Sequence, residues 1–225
     1  MIVVVAGGMG GTGRTTTALG MAAAAAADQH PVTLIDSDRG GYATAVVRDV
    51  VALAELLQAP VKALAGEPSE VLGWVAARAP GGEVVVVDLP PGDQSDAVCA
   101  ADMVVIPVPP PQRPLRQLAP AEPWSPRPAP PRPMPYGLQW ADIDGIRYVN
   151  PRAEVIVLAT QVGPSADVAH LRHAAAAQGV RTLESVIPHS RALQSALAGG
   201  ALRWDVFADL YREAWHELRP SSADR

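Results

Sequence analysis

Between the apolar run IVVVA (Ile2 to Ala6) and a long alanine-rich run lies GMGGTGRTT, Gly8 to Thr16, and no other stretch limits the fold so strongly. A continuous apolar run reads as a strand covered on both faces. The glycines permit a tight loop, and alanine has the highest helix propensity. Strand, glycine loop and helix in that order gather backbone N–H groups and the positive end of a helix dipole around one point, which makes an anion cradle. The stretch fits the phosphate-binding pattern G-x-x-x-x-G-K-[ST] through Gly8, Gly13 and Thr15, with Arg14 in the lysine's place. Thr15 is expected on the first helical turn, where a hydroxyl can reach a Mg²⁺ bound to phosphates.

The chain is 225 residues long, enough for one large core. Hydrophobic residues make up 48% but aromatics only 4%, so the core is expected to be built from Ala, Val and Leu. Net charge is −5, which excludes a globally basic nucleic-acid binder and leaves any DNA contact to local arginines such as Arg181, Arg191, Arg203 and Arg212. Lys62 is the one lysine among 18 basic residues, so an arginine at position 14 follows the usage of the whole chain. The single cysteine, Cys99, cannot form an internal disulfide, which points to a reducing, cytoplasmic setting, and its apolar neighbours place it in the core. The apolar start lacks a positive n-region and is interrupted by glycines, so it is not read as a signal peptide, and no run is long enough to span a membrane.

Along the chain, strand patterns alternate with helical ones. Thr15 to Ala27 is helical; Val32 to Ile35 is a strand that runs into Asp36-Ser37-Asp38-Arg39-Gly40-Gly41. Asp36 and Asp38, two apart on extended backbone, point the same way and can face the phosphate loop. Ala43 to Gln58 and Glu67 to Arg78 are helical. Val84 to Val87 is a buried strand ending in Asp88-Leu89-Pro90-Pro91-Gly92, where a carboxylate can support Mg²⁺ through water. Asp96 to Ala101 is a short helix and Met103 to Val108 a strand.

Thirteen prolines then fall between Pro107 and Pro135, with Arg113, Arg116, Arg127 and Arg132 against Glu122 alone. Proline forbids a helix or inner strand there, so residues 109–135 are expected to form a surface insertion of polyproline character, with Trp124 either an anchor or a partner contact. Beyond it come a helix over Trp140 to Val149, strands over Glu154 to Thr160 and Leu183 to Ile187, and helices over Ala166 to Gln178, Arg191 to Ala198 and Leu202 to Leu218. His170 and His173 share a helix face without a further ligand and are read as solvated. The last helix carries nearly balanced charge, which favours packing on the sheet over lying on a membrane. The alternation predicts one parallel α/β domain over 1–225, with helices on both faces and ligands at the strands' carboxyl ends.

Taken together, GMGGTGRTTTA, LIDSDRGG and VVVVDLPPG resemble the phosphate loop, the D-x-D-x-x-G segment and the Walker B strand of the ParA/MinD family of deviant Walker ATPases. ADMVVIPVPP and SVIPHSRALQSA are looser likenesses to later segments of that family. The resemblance implies a P-loop NTPase fold and a switch in which ATP closes a homodimer and hydrolysis reopens it, for plasmid or chromosome partition or cargo positioning with a ParB-like or cargo adaptor. Carried over by position, Gly8, Gly10, Gly11, Thr12, Gly13, Thr15 and Thr16 would cradle the phosphates of ATP or ADP. Thr15, Asp36 and Asp88 would support Mg²⁺, Asp38 would orient the attacking water, and Pro188 would lie beside the base. Three departures stand out. The family's signature lysine aligns with Met9, which donates nothing. Its second lysine aligns with Arg14, which keeps the charge in a bulkier fork, and Tyr42 replaces a frequent asparagine. Losing a charge at the transferred phosphoryl group slows hydrolysis more than it weakens binding. A non-catalytic nucleotide-binding scaffold is therefore the alternative, and a small-molecule kinase or amide-forming enzyme a third.

Overall fold

The computed structural model describes residues 1–8, 10–37, 61–65, 70, 73, 75, 82–91, 96–110, 140–191, 193 and 204–218. The expected helix over 43–58, most of those over 67–78 and 191–198, and nearly all of the proline-rich segment lie outside the described residues, as do Met9, Asp38 and Tyr42.

Seven strands form one sheet in the order β3-β2-β4-β1-β5-β6-β7, and every pairing is parallel. The strands are β1 (Ile2–Val5), β2 (Val32–Asp36), β3 (Val61–Ala65), β4 (Val84–Asp88), β5 (Met103–Val108), β6 (Glu154–Val162) and β7 (Arg181–Pro188). The helices are α1 (Arg14–Ala27), α2 (Asp96–Cys99), α3 (Trp140–Val149), α4 (Val168–Ala176) and α5 (Trp204–Leu218). β3 has no strand signature in the sequence, since Lys62, Ala63 and Ala65 are poor strand formers, yet it pairs with β2 along its whole length as an edge strand. β6 runs past the expected Thr160 to Val162.

Strand side chains alternate between two cores. Val3, Val5, Val86, Val105, Ile156 and Leu158 face α1 and α5. Val4, Val85, Val87, Val104, Val157 and Ala159 face α2, α3 and α4. Helices thus cover both faces, as parallel strands with apolar residues in every position require.

Although aromatics are scarce, three of the largest fully buried side chains, Phe207, Tyr211 and Trp215, sit on α5. They meet the alanine face of α1, where Ala18 and Ala22 through Ala26 are buried. Small residues on one helix and large rings on the other allow close approach. The contact is tightest at Gly20, where an added Cβ would stand 2.1 Å from the Tyr211 ring. The Tyr211 hydroxyl shares a 3.3 Å hydrogen bond with Thr17 Oγ1, and burial pushes its phenol well above the usual range, outweighing that bond, so it stays neutral. At the α1 C-terminus, Asp28 Oδ2 accepts from Trp215 Nε1 at 3.1 Å.

α5 also guards the edge strand β7. Glu217 accepts hydrogen bonds from the Glu184 and Ser185 N–H groups at 2.7 and 2.8 Å and from the Ser185 hydroxyl, occupying donors that an exposed edge would offer to another chain. Cys99 is exposed, contrary to the expectation of a core position, because α2 turns it outward while Ala97 and Val98 take the buried face. Among the described residues no helix is long and apolar enough to cross a membrane.

Two outcomes follow from these contacts. Gly20→Ala is expected to cost about 1–3 kcal/mol by overpacking against a ring that cannot move away, despite alanine's better helix propensity; urea unfolding measures it, and unchanged stability would mean that the helices are not in this contact. Burial pushes the Glu217 carboxyl up, but the Ser185 and Glu184 hydrogen bonds and the Arg181 charge bring it below its ordinary 4.5. Its contribution to stability is therefore complete above 4.5 and lost as pH falls through the lower folded value. Denaturation of wild type and Glu217→Gln should show a gap near neutral pH that narrows as the medium is acidified below the ordinary carboxylate range.

Candidate functional site

The carboxyl ends of β1, β2 and β4 lie side by side. Val5 is paired with Asp88, and Asp88 with Asp36, so two acidic residues stand abreast next to the point where β1 gives way to the glycine loop. Both carboxylates are buried. Ser37 links the two strand ends through the backbone: its N–H and its hydroxyl both donate to the Asp88 main-chain carbonyl, at 3.1 and 2.9 Å. Asp36 and Asp88 are hard oxygen donors that fit a small divalent cation, and Thr15 on the first turn of α1 offers a hydroxyl. Among the described residues no group of three or more His, Cys, Asp or Glu comes together.

The loop itself closes on Gly13, the N-cap of α1, with φ 93° and ψ 25°. This left-handed conformation favours glycine, and glycine brings no side-chain oxygen to cap the helix. The dipole end of α1 is thereby left open to a ligand. Gly10, Gly11, Gly13, Arg14, Thr15 and Thr16 line a cleft of about 510 Å³, walled on the other side by Pro91, Thr160, Gln161, Ile187, Pro188 and His189. The phosphate-loop residues and Pro188, far apart in sequence, thus meet in one cavity. Thr12 is buried behind the loop, and Gly8 precedes it at the strand's end.

Arg14 is almost wholly buried, and its Nη1 donates to the Gly7 carbonyl at 2.9 Å. The fork therefore closes the base of the loop from within. Of the arginines considered for nucleic acid, Arg181 pairs with Glu154 Oε1 at 2.6 Å and Arg212 with Asp209 Oδ1 at 2.9 Å. Arg191 is exposed and Arg203 lies outside the described residues. His170 is half-buried and His173 exposed on α4.

Sequence reasoning missed Ser37, Thr160, Gln161 and His189. The rule that ligands gather at the strands' carboxyl ends points to the Thr160-Gln161 terminus of β6. Nothing local in the sequence says that it reaches the loop.

An open parallel sheet with a glycine loop between its central strand and α1, and acidic residues at the ends of the neighbouring β4 and of β2 one strand further on, defines a P-loop nucleotide-binding domain. Residues 3–202 match the model of the CobQ/CobB/MinD/ParA nucleotide binding domain, and the chain belongs to that family. It is 39% identical over 115 residues to the Maintenance of carboxysome distribution protein A of Gloeobacter kilaueensis; the match covers 48% of this chain and about half, 49%, of that protein's length. Its fold is similar to the septum site-determining protein MinD of Pyrococcus horikoshii in complex with Mg-ADP, with a TM-score of 0.62 at 13% identity over 99% of this chain and 96% of the other. It is also similar to an ATP complex of McdA from Cyanothece, with a TM-score of 0.59 at 15% identity over 97% of both chains.

Arg14→Ala should cost about 1.5–3 kcal/mol of stability, the range for a hydrogen bond from a charged donor. Denaturant titration of the ligand-free protein measures it, and an unaltered midpoint would mean that Arg14 does not hold the loop.

Proposed function

We propose that this chain is a ParA-like nucleotide-binding switch ATPase that positions a cellular cargo, with slow hydrolysis. The observation that carries this reading is the single cleft lined by Gly10, Gly11, Gly13, Arg14, Thr15 and Thr16 on one side and Pro188 on the other, beside the paired Asp36 and Asp88. Family membership supports it, and relatives whose names refer to carboxysome distribution and septum site determination suggest positioning as the kind of task.

In this reading the amides of the loop and of the first turn of α1 take the phosphates of ATP or ADP, and the Thr15 and Thr16 hydroxyls add donors. Thr15, Asp36 and Asp88 would hold Mg²⁺, which supplies charge against the polyphosphate when bound. Asp38 orients the attacking water, and Pro188 packs beside the base. Nucleotide binding brings two copies face to face, and an adaptor of the ParB kind or the cargo itself reads the closed state. DNA contact, if part of the cycle, uses local arginines and is weak and salt-dependent.

Two features favour a second reading, a scaffold that binds nucleotide without efficient turnover. Arg14 is tied into the loop wall at Gly7, and the sequence has Met9 where the family places its signature lysine.

Calorimetry with Mg-ADP and Mg-ATP should give saturable binding, with Thr15→Ala weakening affinity about tenfold and abolishing its dependence on Mg²⁺. Absence of saturable binding would overturn the reading. Phosphate release that vanishes in Asp38→Ala identifies a switch ATPase; binding with no release above that variant's level identifies the scaffold.

A further inference from the structure

The end of β6 is irregular where it reaches the cleft. Its register with β7 shifts twice, between Val157 and Ala159 and again between Ala159 and Val162. Gln161 takes φ 54°, left-handed backbone that a side chain rarely adopts. Irregularities of this kind re-aim side chains near functional sites, and a strained non-glycine residue persists only where its surroundings hold it. What holds Gln161 is visible. Its Nε2 donates to the Gly11 carbonyl at 2.7 Å, and next to it the buried Thr160 hydroxyl donates to the Thr12 carbonyl at 2.9 Å. Both side chains also lie within 3.8 Å of the point where a Cβ on Gly13 would stand.

We propose that Thr160 and Gln161 are positioning residues that brace the phosphate loop from β6, fixing the direction of two successive peptide planes. In a planar trans peptide the carbonyl and the following N–H point opposite ways. Holding the Gly11 carbonyl therefore turns the Thr12 N–H away from β6, and holding the Thr12 carbonyl does the same for the Gly13 N–H. An anion cradle depends on N–H groups that converge, and glycines leave these planes free to rotate unless something outside the loop holds them. The strain at Gln161 is the conformational cost of aiming its amide at the loop. This proposal rests on reading the loop as the phosphate site, but the brace has a consequence without any ligand.

The test uses the full chain and the variants Gln161→Ala, Gln161→Gly and Thr160→Val. In the ligand-free protein, hydrogen exchange should quicken at the Thr12 and Gly13 amides in each variant, with the interior of α1 unchanged. In calorimetry, Mg-ADP and base-free tripolyphosphate with Mg²⁺ should both weaken about fivefold in Gln161→Ala, the effect of one ordinary hydrogen bond. Gln161→Gly should weaken binding equally while being more stable to heat than Gln161→Ala, because glycine relieves the strain without restoring the bond. Loss for Mg-ADP with tripolyphosphate unaffected would overturn the brace and make Gln161 a base contact. Unchanged exchange at Thr12 and Gly13 would also overturn it. If wild type binds neither probe, the phosphate reading fails while the exchange data still decide the brace.

Discussion

The turn between β1 and α1 is the constraint on which the rest depends. β1 is paired on both sides, by β4 and β5, so the chain leaves the middle of the sheet with no freedom to shift along its axis. Between Val5 and Arg14 it has to reverse direction and lay α1 back on the sheet. Glycine at the helix N-cap makes that reversal in left-handed backbone, and it leaves the dipole end of α1 beside the carboxyl ends of β2 and β4. The acidic residues Asp36 and Asp88 reach the loop because the strand register carries them there, not because of any property of their own segments.

α1 is held in that place from behind. Its alanines and Gly20 offer a nearly flat surface, and α5 fills it with Phe207, Tyr211 and Trp215. The Tyr211 hydroxyl bonded to Thr17 ties the last described helix to the first turns of α1, near the residues that line the cleft. In a chain poor in aromatics, three of them fill this one helix contact. Glu217, on the same helix, closes the open edge of β7.

Charge and hydrogen bonding decide what the loop can do. Arg14 draws its base together through the Gly7 carbonyl, while Thr160 and Gln161 take the carbonyls of Thr12 and Gly11 from the opposite side. A loop rich in glycine is flexible by composition. Here its geometry comes from side chains lying outside it or bent back upon it.

Much of the framework was legible in the sequence. The apolar runs at Ile2, Val32, Val84, Met103 and Glu154 announced buried strands because continuous β-branched stretches suit strands covered on both faces, and the order of strand, glycines and alanine helix marked the loop. β3 was not legible, since an edge strand around Lys62 gains its place from pairing with β2 and not from its own composition. The outward turn of Cys99 was misjudged for a similar reason, as one helical turn offers both a buried and an exposed face. The sequence by itself determined the fold class, the family likeness and the residues of the loop, because these depend on local periodicity and on glycine's backbone freedom. Only the tertiary structure decided that Arg14 bonds back to Gly7, that Ser37 links the ends of β2 and β4 through the Asp88 main-chain carbonyl, and that Thr160 and Gln161 reach the loop from residues some 150 positions away. Such contacts are set by strand order and by a shifted register at the end of β6, which no local pattern encodes.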